Sequence, residues 1–199
     1  TTAMYSQLVP LILFCCAAAF TPGPNNILGS YSGFNFGIKK SLPLILGVTF
    51  GYTSLLITLS AGLIIVFKNY PFLQSILKIS GSLFLIYLAY KISFKNKLET
   101  KEIKNPVKFL NTFFFQYINP KGVIIAIICI STFVESGSNY LFHTMVVVIV
   151  SFIVSAASIS SWCLLGKFLR RFATNKKFIQ IFNYIMSFFL IVCVIIIYL

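Results

Sequence analysis

Residues 20–30 read FTPGPNNILGS, with Pro22, Gly23 and Pro24 in succession inside a long apolar segment. Proline lacks the amide N–H, and its ring clashes with the carbonyl four residues earlier, so a regular helix cannot run through this stretch. In water the run would be an ordinary turn. Its flanks, residues 10–20 and 27–36, are too apolar for that. The whole chain shares the bias: 58% of its 199 residues are hydrophobic and 10% charged, against about 25% charged in typical soluble domains. Its mean hydropathy is +0.94. Such a chain belongs in a lipid bilayer, whose hydrocarbon core of about 30 Å is crossed by about 20 apolar residues. Six segments meet that length, at about 8–36, 42–67, 72–94, 107–134, 140–165 and 178–199. The expected fold is therefore all-α, a polytopic membrane protein of six transmembrane helices.

Charge sets the expected orientation. Thirteen of the sixteen Lys and Arg residues flank the first, third and fifth connections, among them Lys39, Lys40, Lys167, Arg170 and Arg171. Basic loops stay in the cytoplasm, so both termini are expected outside. A net charge of +13 would suggest nucleic acid in a soluble protein. Beside apolar spans it is accounted for by topology and anionic lipid headgroups, and no nucleic-acid partner is expected. No Lys or Arg precedes Lys39, so the first span is expected to be retained rather than cleaved as a secretory signal.

A second interruption, QYINPKGV at residues 116–123, breaks the fourth span as the first stretch breaks the first. Pro22 and Pro120 are 98 residues apart, and a shift by that amount carries the second span onto the fifth and the third close to the sixth. The chain divides into two three-helix repeats, 1–98 and 99–199. An odd number of spans in each makes the repeat inverted, an arrangement common in secondary transporters. Paired Gly/Pro interruptions at corresponding positions point to a binding site at the bilayer midplane.

The chemistry of that site follows from the breaks. Pro22, Pro24 and Pro120 would free the carbonyls of Ala18, Phe20 and Gln116. Unpaired backbone groups in hydrocarbon cost several kcal/mol each, so they must face protein, water or a ligand. Asn25, Asn26 or Asn119 could cap the new half-helices, whose first amides carry partial positive charge. Free carbonyls beside free amides suit a zwitterion, with its ammonium on the former and its carboxylate on the latter. Lys121 lies near mid-span, either as a carboxylate clamp or titrating amine or as structural repair of the freed Gln116 carbonyl. The expected substrate-binding set is Pro22, Gly23, Pro24, Asn25, Asn26, Asn119, Pro120 and Lys121. The chain has no Asp, and its glutamates are Glu99, Glu102 and Glu135. Proton coupling would have to use Lys121, His143, Glu135 or water at the break.

The remaining residues suggest contacts. Gly29, Gly33 and Gly37, and Gly47 with Gly51, form G-x-x-x-G stripes that allow close helix approach. They read as internal packing surfaces, with a homodimer seam as the alternative. The serine-rich stretch SAASISSW, residues 155–162, could line a polar path or bond its own helix carbonyls. Five cysteines lie in apolar spans without a C-x-x-C motif and read as small hydrophobes. A competing function would be a membrane thiol–disulfide electron carrier, using Cys15 or Cys16 with Cys129, of which Cys16 and Cys129 are the expected pair. Glycines 23 and 29 lack the spacing and following Lys of a phosphate loop, and no cofactor, metal or catalytic residue is expected.

FTPGPNNILGS at the first break, LKISGSLFLIYLAYKI in the third span, FFFQYINPKGV at the second break and SWCLLGKFLRRF ending the fifth resemble the LysE/RhtB superfamily of bacterial amino-acid exporters. Within it, TPGPNNIL and STFV are most similar to the cysteine/O-acetylserine efflux branch. The resemblance implies a polytopic protein of the bacterial inner membrane. It would expel small neutral amino acids or derivatives, of the cysteine/O-acetylserine or threonine/homoserine type, by proton antiport. Without an intramembrane acid to receive a second ammonium, exporters of basic amino acids are poorer models.

Overall fold

Prolines and glycines decide where the helices stop. The computed structural model describes residues 2–63, 65, 69–70, 72–98, 106–135, 137–173 and 176–198. These form seven helices and no strand among the described residues: α1 Thr2–Phe20, α2 Pro24–Thr58, α3 Phe72–Leu98, α4 Phe109–Ile118, α5 Pro120–Phe133, α6 Tyr140–Arg170 and α7 Lys176–Tyr198. A π-helical turn, Leu59–Leu63, continues α2. The all-α expectation holds. Pro24–Gly62, Tyr140–Arg170 and Lys176–Ile196 are each long and apolar enough to cross a bilayer. The pair Phe109–Ile118 and Pro120–Phe133, bent by 64° at its break, adds a fourth crossing if taken as one span. By length and composition, then, the described residues give up to four spans where the sequence suggests six. Gln7–Phe20 is a shorter apolar helix, and the boundary between the two expected repeats falls at residue 99, outside the described residues.

The long α2 is not one straight rod. Gly37 inside it has φ 73° and ψ 174°, and Ser32 Oγ lies 2.7 Å from Ser41 Oγ. In a straight helix those residues would stand about 13.5 Å apart along the axis. The chain therefore bends sharply at Gly37 into two arms, 24–36 and 38–58. Ser41 holds the bend by donating to the Gly37 carbonyl at 2.8 Å. The expectation that Gly37 belongs to a packing stripe is corrected: nothing stands within 4 Å of where its Cβ would be, and a backbone at positive φ is the reason glycine is needed.

The other stripe glycines do pack. A methyl on Gly33 would run into the Cys163 carbonyl, and one on Gly166 into the Ser30 carbonyl, so the first arm of α2 lies backbone-close to α6. The second arm is equally close to α4 at Gly47 and Gly51, facing Phe109 and Phe113. The glycine stripes are thus spent inside the chain, as the internal-packing reading expects. Helix α3 meets α7, where Ser187 Oγ donates to the Ala89 carbonyl at 3.0 Å. Two apolar cores result, one around Leu28, Leu44, Phe115 and Ile159, the other around Leu11, Leu56, Cys129 and Val147. Outward-facing Leu13, Leu83, Phe114 and Phe188 are each more than 60% exposed, an apolar exterior suited to lipid rather than water.

Candidate functional site at the two helix breaks

Both breaks are built alike. At the first, α1 ends at Phe20 and α2 begins at Pro24 behind an extended Gly23. At the second, Asn119 ends α4 and starts α5, whose first residue is Pro120. The first intrahelical bonds run from Ile27 N–H to the Gly23 carbonyl at 2.9 Å and from Val123 N–H to the Asn119 carbonyl at 3.0 Å. Between each proline and these bonds stand two amides that find no carbonyl within their own helix: Asn25 and Asn26 in α2, Lys121 and Gly122 in α5. All four residues line one cavity.

The two breaks touch. Asn25 and Gln116, 91 residues apart in sequence, exchange both amide hydrogen bonds, at 2.8 and 3.1 Å, and Gln116 also donates to the Thr112 carbonyl at 2.8 Å. Lys121 Nζ crosses from the second break to the first and donates to the carbonyls of Thr21 at 2.8 Å and Pro22 at 3.4 Å. The lysine therefore does repair a broken helix, but the other one. Asn26 donates to the Ala19 carbonyl at 2.7 Å and the Thr21 carbonyl at 2.9 Å, and Ser158 adds a second donor to Ala19 at 2.8 Å. These side-chain donors fall on Ala19, Thr21 and Pro22, not on the Ala18 and Phe20 carbonyls expected from proline spacing. The expected asparagine caps are also corrected. Asn119 holds the expected N-cap position of α5 but makes no side-chain cap bond; at the first break Gly23 is the N-cap, with Asn25 held by Gln116 and Asn26 reaching backwards.

The cavity between the breaks has a volume of about 80 Å3, room for several waters at roughly 10–15 Å3 each. Gly23, Pro24, Asn25, Asn26, Asn119 and Lys121, six of the eight residues expected from sequence, line it. Pro22 and Pro120 do not: Pro22 is exposed, and buried Pro120 packs against α3 at Gly81. Asn119 is 2% exposed, and its Oδ1 has no hydrogen-bond partner. Such a buried acceptor is costly unless a water or ligand pairs with it. Ser151, Ser155 and Ser158 of α6 line the cavity too, among the apolar Val48, Ile125, Val154 and Ile159, while Ser161 of the serine-rich stretch donates to its own helix at the Ala157 carbonyl, 2.7 Å away. Cys15 and Tyr52 also line the cavity; sequence marks Cys15 only as a candidate redox thiol and Tyr52 not at all. Gln116 is visible in the second interruption, but its side-chain role requires knowing that the breaks meet.

Residues considered for other chemistry lie elsewhere. His143 is buried with Nε2 unpaired and Nδ1 accepting from the Glu135 amide at 3.3 Å; neither residue lines the cavity. Cys15 and Cys129 belong to one apolar cluster, and Cys16 is not part of it. Adjacent helix residues point about 100° apart, so of the two partners considered for Cys129 the Cys16 choice is corrected, and Cys15 is the one that shares its cluster.

The family model described as LysE type translocator matches residues 16–198. Relatives extend the match. The chain is 26% identical over 192 residues to the cysteine/O-acetylserine efflux protein of Salmonella paratyphi A, covering 94% of this chain and 97% of the relative. It is 25% identical over 176 residues to the protein of that name from Escherichia coli K12, covering 88% and 89%. No solved structure matches the chain. With apolar helices carrying a broken-helix cavity, and a family match over nearly its whole length, the chain belongs to the LysE family of translocators and is a transporter rather than an enzyme.

Proposed function

We propose that this protein exports small neutral amino acids or their derivatives from the cytoplasm across the bacterial inner membrane, by alternating access at the cavity between the two breaks. The observation that carries the reading is the convergence of both breaks on one space. There, the Ala19 and Thr21 carbonyls stand near Lys121 and the unpaired first-turn amides of α2 and α5. A substrate ammonium would compete with Asn26, Ser158 and Lys121 for those carbonyls. Its carboxylate would take the amides and the released Lys121 ammonium. The small cavity suits a short side chain, and its serines with Cys15 offer weak polar contacts to a hydroxyl, thiol or ester. The relatives named as cysteine/O-acetylserine efflux proteins support this class.

Alternating access rests on an inverted repeat of six spans, which the packing supports. Helix α1 lies on α6, where Ser158 Oγ donates to the Ala19 carbonyl, and α4 lies on the second arm of α2. A shift of 98 residues exchanges those two pairs. The Ser187 to Ala89 bond joins positions 98 apart, as expected for equivalent residues meeting at a pseudo-twofold axis. Proton antiport, with both termini outside, completes the reading. Proteoliposomes loaded with labelled amino acids and given an imposed pH gradient test it. Gradient-dependent release of cysteine, O-acetylserine, threonine or homoserine is expected. Release that ignores the gradient contradicts proton coupling, and release of none of the panel contradicts the substrate class.

A further inference from the structure

Two contacts between α1 and α6 stand along the wall of the cavity. At the end where the breaks meet, Ser158 Oγ donates to the Ala19 carbonyl at 2.8 Å. Further along the same seam, Ser151 Oγ lies 3.6 Å from Cys15 Sγ. Residues four or seven apart share one face of a helix, so Cys15 is in line with Ala19 on α1, and Ser151 with Ser158 on α6. All four line the cavity. Along the axes the two contacts are separated by about 6 Å on α1 and about 10 Å on α6. Ser161 of α6 spends its hydroxyl on its own helix, at the Ala157 carbonyl, whereas Ser151 turns across the seam. A hydroxyl can donate once and accept twice, so Ser151 keeps hydrogen-bonding capacity beyond Cys15. Ser151 is buried, and the low dielectric there strengthens any bond it makes.

We propose that Cys15 and Ser151 form the side-chain subsite of the cavity and select amino acids that carry a hydroxyl, thiol or ester oxygen directly on Cβ. The inference rests on the proposed function and narrows its substrate class. With the substrate ammonium on the Ala19 carbonyl, a hydrogen bond of about 3 Å is used at each end of the separation. What remains between the ammonium nitrogen and the side-chain polar atom is at most about 4 Å. An N–Cα–Cβ–O or N–Cα–Cβ–S unit fills that distance, and the extra carbon of homoserine overshoots it. Ser151 donates to an ester or hydroxyl oxygen, or accepts from a hydroxyl or thiol. A methyl group in place of the heteroatom occupies the same space and leaves that bond unmade.

Thermal stabilisation of the purified full chain in detergent, titrated with serine, its methyl isostere 2-aminobutyrate and homoserine, tests the assignment without requiring transport. Serine is expected to bind the unaltered chain about five- to tenfold tighter than either of the others, the worth of one neutral hydrogen bond. Cys15→Ala should lower that preference, and Ser151→Ala should bring it below about twofold. Ser161→Ala, whose hydroxyl bonds its own helix, should keep it. Equal binding of serine and 2-aminobutyrate by the unaltered chain, homoserine binding as tightly as serine, or a full preference in Ser151→Ala overturns the proposal and leaves the exporter reading standing. Stabilisation by none of the three amino acids overturns both.

Discussion

Asn25 and Gln116 are two neutral amides that satisfy each other across 91 residues of sequence in a site where Gln116 is fully buried. Each such bond contributes about 0.5–1.5 kcal/mol net, whereas leaving one buried partner unpaired costs about 1–3 kcal/mol. Asn25→Ala is therefore expected to lower stability by about 1–3 kcal/mol in detergent unfolding. The double variant with Gln116→Ala should cost less than the two single changes added together, and strict additivity would show that the pair does not act as a unit. At this scale the sequence is partly legible. Proline, glycine and asparagine announce the breaks through backbone chemistry, so six of the eight expected residues face the cavity. Tyr52 and the Gln116 side chain escape notice, and Cys15 is noticed only as a thiol, because only the tertiary meeting of the breaks gives them a place at the cavity.

At the level of elements, glycine does two different jobs that one sequence pattern cannot separate. Gly33 sits where a methyl would strike the Cys163 carbonyl, so Gly33→Ala must push α2 away from α6. The expected loss is about 1–3 kcal/mol, as for other overpacked contacts. Gly37→Ala meets no neighbour but forces an L-residue into a backbone region that costs of order 1–3 kcal/mol. Thermal unfolding should drop in both. Only in Gly33→Ala, whose methyl meets the Cys163 backbone, should spin labels on the first arm of α2 and on α6 move apart; an equal separation in Gly37→Ala would remove the distinction. The stripe Gly29, Gly33, Gly37 is evenly spaced, so spacing alone marks all three as packing residues, and the positive φ of Gly37 appears only in the fold.

For the whole molecule, hydropathy fixes the solvent and the helical class, and the 98-residue offset of the prolines suggests the repeat. The count of spans is less legible. The first span is divided by its break, the second is continuous with the arm before Gly37, and α3 carries Lys78, Lys91, Lys95 and Lys97 within an otherwise apolar helix. The topology proposal predicts that tags at both termini are open to protease added outside intact spheroplasts, and protection of either one contradicts it. The central claim, that the meeting point of the two breaks is the transport site, is tested most directly by efflux from proteoliposomes preloaded with labelled O-acetylserine or cysteine. The account predicts release faster than from protein-free vesicles for the unaltered chain. It predicts a fall to the protein-free rate for Asn26→Ala and for Lys121→Ala, each inserted in equal amount. Release at the unaltered rate from both variants would contradict it.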